Sequence, residues 1–169
     1  MKKIVGCILF LVLAGCAVLT KPVVVNLTPV EVNTLLENPF GHNESIEAFS
    51  KNLPERTEVS KYLKKSPRAN HAPDTIFNFN FKKSKISVYK TRFSQEFVLG
   101  GIIRNSEIEL CNGIRQGMTR QEFFQSFTNL PAMPNDTVVL KYSAIKRTFN
   151  FYFDDKGKLE KIIFSGSKQ

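Results

Sequence analysis

Apolar and polar side chains alternate with a period of two from Asp74 onward, a pattern typical of half-buried β-strands. Phe77, Phe79 and Phe81 occupy every second position of this stretch. The run Lys-Lys-Ser-Lys interrupts the alternation, which resumes at Ile86. Two strands joined by a polar turn predict a β-hairpin here.

Other segments space their apolar residues by three and four, which predicts short helices. They are residues 29–37, 43–52, 57–65 and 120–129. Thr28 with Glu31, and Thr119 with Glu122, have the spacing of capping boxes at the first and last of these helices. The 57–65 helix depends only on its apolar residues, which are Val59, Tyr62 and Leu63. Four short helices are therefore expected.

The two halves of the chain share an order of elements. Each has a short helix, the tripeptide Asn-Leu-Pro, and Asp-Thr at the start of three strands, at Asp74 and at Asp136. Further strands are expected at residues 96–104, 137–143, 147–154 and 159–165. We interpret the match as a duplication with an insertion in the first copy. The predicted fold is α+β, with two repeats, about 27–110 and 111–169, each a helix plus a three-stranded antiparallel meander, sharing one sheet with the helices on one face.

The N-terminus has a pattern of its own, with Lys2 and Lys3 before an apolar run that ends at Cys16. The run is shorter than the roughly 20 residues that cross a bilayer, as in a signal peptide. Its last tetrapeptide, Leu-Ala-Gly-Cys, resembles the lipobox of bacterial lipoproteins. The resemblance implies acylation of Cys16 and, with Ala17 next, sorting to the periplasmic face of the outer membrane. The expected organisation is a signal peptide over 1–15, a lipidated tether over 16–26 and one domain over 27–169.

Composition and charge narrow the set of partners. Loss of Lys2 and Lys3 with the signal peptide lowers the formal net charge from +9 to +7, which favours anionic partners. In the periplasm these are lipid head groups, lipopolysaccharide phosphates, peptidoglycan carboxylates or acidic proteins, and nucleic acid is not expected. Basic residues group at Lys82, Lys83 and Lys85 and again from Lys61 to Arg68. Each group taken singly is better explained as a solvated loop. Cys111 is the one cysteine besides Cys16 in the mature chain, so no internal disulfide is expected, and 15 Phe without Trp predict an aromatic core on strands.

One segment of the second half carries a family resemblance. The run Gly-Met-Thr-Arg-Gln-Glu-Phe from Gly117, with the hairpin run Asn-Phe-Tyr-Phe-Asp-Asp-Lys-Gly-Lys-Leu from Asn150, resembles the SmpA/OmlA (BamE-like) outer-membrane lipoproteins. The tandem arrangement is similar to the β-lactamase inhibitory protein fold. The direct resemblance covers about residues 114–164. It implies a non-enzymatic protein of the outer membrane that binds other proteins.

Residues suited to catalysis are few and scattered. Cys111, His42 and His71 are the nucleophile and base candidates, and they have no spacing typical of a metal site or a catalytic triad. Asp136 and Asp154 fit turns better than acid and base roles. No phosphate-binding loop or metalloprotease motif is present. We therefore expect no enzyme activity, no metal and no cofactor.

A sheet with helices on one face leaves its other face for binding. Tyrosine with lysine or arginine on a rigid sheet suits protein recognition. The candidate surface comprises Lys82, Lys83, Lys85, Tyr89, Lys141, Lys146, Arg147 and Tyr152. The alternative is that other segments cover the strands on both sides and leave no free face.

Three functions fit these expectations. The first is a lipid-anchored periplasmic binding or scaffold lipoprotein, with a role in envelope assembly. The second is an inhibitor or immunity protein of a periplasmic hydrolase. The third is a binder of anionic lipid or lipopolysaccharide that uses the basic hairpin tips at Lys82-Lys83 and Lys146-Arg147.

Overall fold

The computed structural model describes residues 29–64 and 73–166. Within them the elements are α1 (Val32–Glu37), α2 (Ile46–Asn52), β1 (Glu58–Lys64), β2 (Asp74–Phe81), β3 (Ser84–Lys90), β4 (Glu96–Ile103), α3 (Arg120–Gln125), β5 (Thr137–Tyr142), β6 (Arg147–Phe153) and β7 (Leu159–Ser165). The expected signal peptide, the acylation site Cys16, the N-cap Thr28 and His71 lie outside the described residues.

All seven strands form one antiparallel sheet in the order β1-β2-β3-β4-β7-β6-β5. The first four strands follow chain order, whereas the last three are reversed. Strands β4 and β7 therefore meet in the middle of the sheet, through four residue pairs from Gly100 opposite Ser165 to Ile103 opposite Ile162. This β4–β7 seam joins the two halves of the chain.

All three helices pack on the same face of the sheet. Phe49 of α2 lies 5.6 Å from Phe79, and Phe123 of α3 lies 4.7 Å from Phe151, measured between ring centroids. Helix α1 lies against β5 and β6 and buries Leu35 completely. The alternating phenylalanines of the strands supply the facing side chains, so the core is a layer of aromatic rings between sheet and helices.

The expectation of two repeats, each one helix plus a three-stranded meander, is wrong. The first half supplies two helices and four strands, whereas the second supplies one helix and three strands. A single seven-stranded sheet dominates, and the helices are only six or seven residues long. The matched tripeptides occupy different positions, because Asn52 ends α2 while Asn129 follows the end of α3 by four residues. The match was therefore a local likeness of sequence.

The segment expected to form a helix over 57–65 is the edge strand β1. All seven of its residues pair with β2, from Glu58 opposite Asn80 to Lys64 opposite Asp74. A helix there would have left the backbone groups of β2 unpaired along that edge. Pairing with a distant strand thus outweighed a local spacing that also suits a helix.

All three α-helices are shorter than expected. Helix α2 begins at Ile46 and not at residue 43, because Ser45 is its N-cap and its side chain accepts a bond from the Ala48 amide. Helix α1 begins at Val32 because Val30 is held in an extended bridge beside Phe127, with backbone bonds of 3.1 Å to the Ser126 carbonyl and 2.9 Å from the Thr128 amide. Glu31 stands at the N-cap position without a side-chain cap bond. The side chain of Asn129 accepts a bond from the Val32 amide instead, 3.0 Å long.

Helix α3 ends at Gln125 and not at residue 129, because Phe127 is part of that bridge to Val30. Its start is confirmed as a capping box. The Glu122 carboxylate accepts a bond of 2.6 Å from the Thr119 amide, and the Thr119 hydroxyl accepts one from the Glu122 amide. The backbone bond from Thr119 holds the pKa of Glu122 below its ordinary value.

The hairpin of β2 and β3 is confirmed, with the Lys-Lys dipeptide in its turn. The sequence Gly100-Gly101 was expected to mark a bulge or bend, and the β3–β4 register does shift there, so that Ser87 pairs with Gly100 and Val88 with Val98. A bulge increases the local twist of the sheet where the β4–β7 seam begins.

Candidate protein-binding surface

The sheet has one face that no described helix covers, which we call the open face. The strand register places five side chains in a row across it, on β3, β4, β7, β6 and β5. They are Lys85, Ile102, Ile163, Asn150 and Val139. Lys85 and Val139 are exposed and the other three are half-buried. The row has an apolar centre with a cation at one end.

A second row lies beside the first on the same face, two residues away along each strand. It consists of Ser87, Gly100, Ser165, Thr148 and Lys141. Lys85 and Lys141 are the only charged residues of the two rows, and neither forms an ion pair with a described residue. A shallow depression of about 440 Å³ lies where the rows cross β3 and β4. The surface therefore offers apolar contact, hydroxyl and amide groups, and free positive charge.

Tyr152 extends this surface on β6. It lies opposite Lys161, whose ammonium is 4.6 Å from the centroid of the tyrosine ring. This cation–π pair lies beside the apolar centre of the open face and is half-buried. Of the candidate residues named from the sequence, the structure places Lys85, Lys141 and Tyr152 on this one face of the sheet.

Tyr89 lies on the same face but is sealed from solvent, with 4% of its surface exposed. Its hydroxyl donates to the Asp74 carboxylate, Phe97 packs against its ring, and the Lys64 ammonium lies 5.8 Å from the ring centroid. The bond to Asp74 and burial raise the pKa of the Tyr89 phenol. Tyr89 is therefore part of the packing of the sheet.

The two basic hairpin tips lie at opposite ends of the strands. Lys83 is exposed, whereas Lys82 pairs with Glu107. Lys146 adopts a left-handed conformation, with φ 49°, in the turn before β6. The four residues thus form no common basic patch.

Arg147 is occupied by contacts with the helical layer. Its guanidinium donates 2.7 Å to the Leu36 carbonyl and 2.6 Å to the Glu44 carboxylate. The arginine side chain is 13% exposed and the glutamate 19%. Sequence reasoning missed this role because Glu44 lies 103 positions earlier in the chain.

Glu44 carries a buried charge that Arg147 compensates only in part. Burial raises the pKa of Glu44 above its ordinary value of 4.5, although the charge and hydrogen bond of Arg147 act in the opposite direction. One carboxylate oxygen, Oε1, is buried and has no hydrogen-bond partner among the residues that the structure describes. A buried charge that is only partly compensated depends strongly on its remaining partner.

A second concave region lies beside α3. Phe124, Leu130 and Met133 line a groove of about 600 Å³, and Arg120 forms its polar end. The Arg120 guanidinium holds the neighbouring loop through a bond of 2.8 Å to the Asp136 carboxylate. Among the described residues, no carboxylate, histidine or cysteine lines the groove. Sequence reasoning missed it, because helical spacing assigns Phe124 to the buried stripe of α3, and the residue is indeed 8% exposed.

Within the described part of the chain, no hydrogen bond or ion pair joins the remaining reactive groups to one another. Cys111 is half-buried, and burial raises the pKa of its thiol. The His42 ring nitrogen Nδ1 lies 2.7 Å from the Asn43 carbonyl. Asp154 accepts backbone bonds from Lys156 and Lys158, as expected of a turn residue. Across residues 29–64 and 73–166, no cluster of three or more histidine, cysteine or carboxylate side chains could hold a metal ion.

In the same two ranges, no helix has the length and apolar character needed to cross a bilayer. Comparison with known proteins gives no match to a family model, to a curated protein or to a solved structure. The fold and surface together define the chain as a protein with one seven-stranded antiparallel sheet, a layer of short helices on one side and, on the other, a partly basic face that no described helix covers.

Proposed function

We propose that this is a lipid-anchored, non-enzymatic binding protein of the bacterial outer membrane, whose open face binds another envelope protein. The observation that carries the proposal is the pair of rows across the open face. Apolar side chains occupy the centre of the first row, and Lys85 and Lys141 lie at opposite ends of the two rows, without an ion pair to any described residue. Protein interfaces combine an apolar centre with charged positions near the rim.

The lipid anchor is supported by the lipobox before Cys16 and by the charged start of the chain. A role in envelope assembly is supported by the resemblance of residues 114–164 to the SmpA/OmlA lipoproteins. An anchored protein with a rigid binding face suits a scaffold, because the anchor keeps the face close to the membrane.

The anchor is tested by metabolic labelling with palmitate. The wild-type chain and Cys7→Ser are expected to take up the label, because Cys7 lies in the segment that is removed. Cys16→Ser is expected to lose the label and to leave the membrane fraction. An unlabelled wild-type chain, or label retained in Cys16→Ser, contradicts lipidation at this cysteine.

The binding face is tested by photo-crosslinking from Val139 in envelope preparations. The double variant Lys85→Glu, Lys141→Glu is expected to reduce capture of the partner about tenfold, because two attractive charges become repulsive. The matched control is Lys83→Glu, Lys156→Glu, which reverses two exposed turn lysines away from the open face. Capture should be unchanged in the control.

Equal loss in both double variants contradicts the assignment to the open face, since it would reflect net charge alone. Capture of one hydrolase, with loss of its activity, favours an inhibitor. Binding to anionic vesicles that disappears on Lys82→Glu, Lys83→Glu but persists in the open-face variant favours a lipid binder.

A further inference from the structure

The edge strand β1 carries exposed apolar side chains on both of its faces. Val59 is 46%, Tyr62 59% and Leu63 69% exposed, and they make up three of the five large apolar residues that the described chain exposes most. Only alternate residues of an antiparallel strand direct their amide and carbonyl groups to a given neighbour. The other groups of β1 therefore face away from β2, along an edge that no described strand covers.

We propose that β1 pairs with β1 of a second copy of this chain, so that two sheets join into one across a twofold axis at Lys61. In this antiparallel register each residue faces its mirror position in the strand. Glu58 faces Lys64 of the other copy, and Val59 faces Leu63 of the other copy. Each pair occurs twice because the interface is self-complementary.

In this register apolar and charged side chains of the strand face complementary side chains of the other copy. Val59 and Leu63 share one face of the strand, so each would cover an apolar side chain of the other copy. On the opposite face two Glu58–Lys64 pairs would form, for which the Lys64 ammonium would turn from the Tyr89 ring toward the edge of the strand. Cross-strand pairs of both kinds stabilise antiparallel strands. A one-residue shift would place Val59 opposite Tyr62 and leave Lys64 without an acidic partner.

Lysines on an edge strand normally oppose association. Here the Lys61 ammonium lies back over the ring of Phe77 on β2, 5.3 Å from its centroid. The like charges at the twofold axis are therefore drawn away from the edge of each copy. Association through β1 also leaves the open-face rows of β3 to β5 uncovered, since they lie beyond β2.

The charge pairs are tested by reversal and exchange in the full chain, purified in mild detergent and analysed by sedimentation equilibrium. Glu58→Lys and Lys64→Glu are each expected to lower the dimer association constant about tenfold, because two attractive pairs become repulsive. The combination Glu58→Lys, Lys64→Glu should restore it. A wild-type chain that remains monomeric at every concentration overturns the proposal. A double variant whose dimer association constant is no higher than those of the single variants also overturns it.

The register is tested by cysteine crosslinking with chains of two tag sizes. A mixture of Val59→Cys and Leu63→Cys chains is expected to form a mixed disulfide dimer, because these positions face each other. Neither variant alone should, since position 59 and its own copy would be four residues apart, about 13 Å, beyond disulfide reach. Equal crosslinking of Val59→Cys with itself, or of a Val139→Cys control on β5, overturns the register.

Discussion

Gly101→Ala is expected to lower the free energy of unfolding by about 3 kcal/mol or more, the upper range for overpacked sites. A Cβ atom at this position would lie 2.7 Å from the ring of Phe164 and still closer to the Lys85 carbonyl oxygen. Both distances are far inside van der Waals contact. Either β3 or the core must move to accept a single methyl group.

Neither neighbour has room to move. The Phe164 ring is stacked on Phe149, with centroids 5.0 Å apart and planes 10° apart, and it contacts Phe40 at its edge. The Lys85 carbonyl belongs to a strand that is paired on both sides. The strain would therefore fall on the β4–β7 seam, which has only four residue pairs.

The matched control is Gly117→Ala. Gly117 has a φ of +92°, but no heavy atom lies within 4 Å of the added methyl group. Its cost should be limited to the conformational penalty, about 1 kcal/mol. Denaturant unfolding of the two variants checks the difference. Equal loss of stability in both would mean that the close approach at Gly101 is not limiting.

Arg147→Met is expected to cost about 3–5 kcal/mol at neutral pH, the range for breaking a buried ion pair from one side. The variant keeps the aliphatic stem but leaves the Glu44 carboxylate buried without its cation. It also removes the bond to the Leu36 carbonyl, which ties α1 to the sheet.

This cost should depend on pH in a defined direction. The pKa of Glu44 is already raised in the folded protein, so the charged form is disfavoured there, and Arg147 is the group that limits the rise. Without Arg147 the pKa rises further, and the penalty is full above that value. As the pH falls below 4.5, Glu44 is protonated in both folded and unfolded chains, so the charge penalty disappears and only the loss of the carbonyl bonds remains.

Denaturant midpoints of Arg147→Met and wild type, measured from pH 4 to 8, check this expectation. The gap should widen as the pH rises. Lys51→Met is the control, because Lys51 and Glu47 form an exposed pair, 71% and 77% exposed, worth at most about 0.5 kcal/mol. A gap for Arg147→Met that is constant with pH would show that the loss comes from its carbonyl contacts alone.

Sequence reasoning succeeded where the determining contacts are local. The β2–β3 hairpin follows from phenylalanine at every second position, and the start of α3 follows from Thr119 and Glu122, three residues apart. It failed for β1, whose partner strand lies across residues 65–72 and whose apolar spacing suits a helix equally well. The repeat was misjudged because two similar tripeptides say nothing about the elements around them.

The candidate surface was predictable only in part. Alternation along a strand assigns Lys85, Lys141 and Tyr152 to faces, and the sheet order then brings them together. No local pattern shows that Tyr89 is sealed, because the residues that cover it come from other strands. Arg147 is similar, since its partner Glu44 lies 103 positions away, between α1 and α2.

The position of β7 has a consequence for biogenesis. This strand is the last of the described strands in the chain, yet it lies between β4 and β6. Until it has been synthesised, no strand pairing among the described residues joins the first four strands to the β5–β6 hairpin. A ribosome must therefore reach Ser165 before the native sheet can close, so the long-range β4–β7 pairing is a late and slow step of folding.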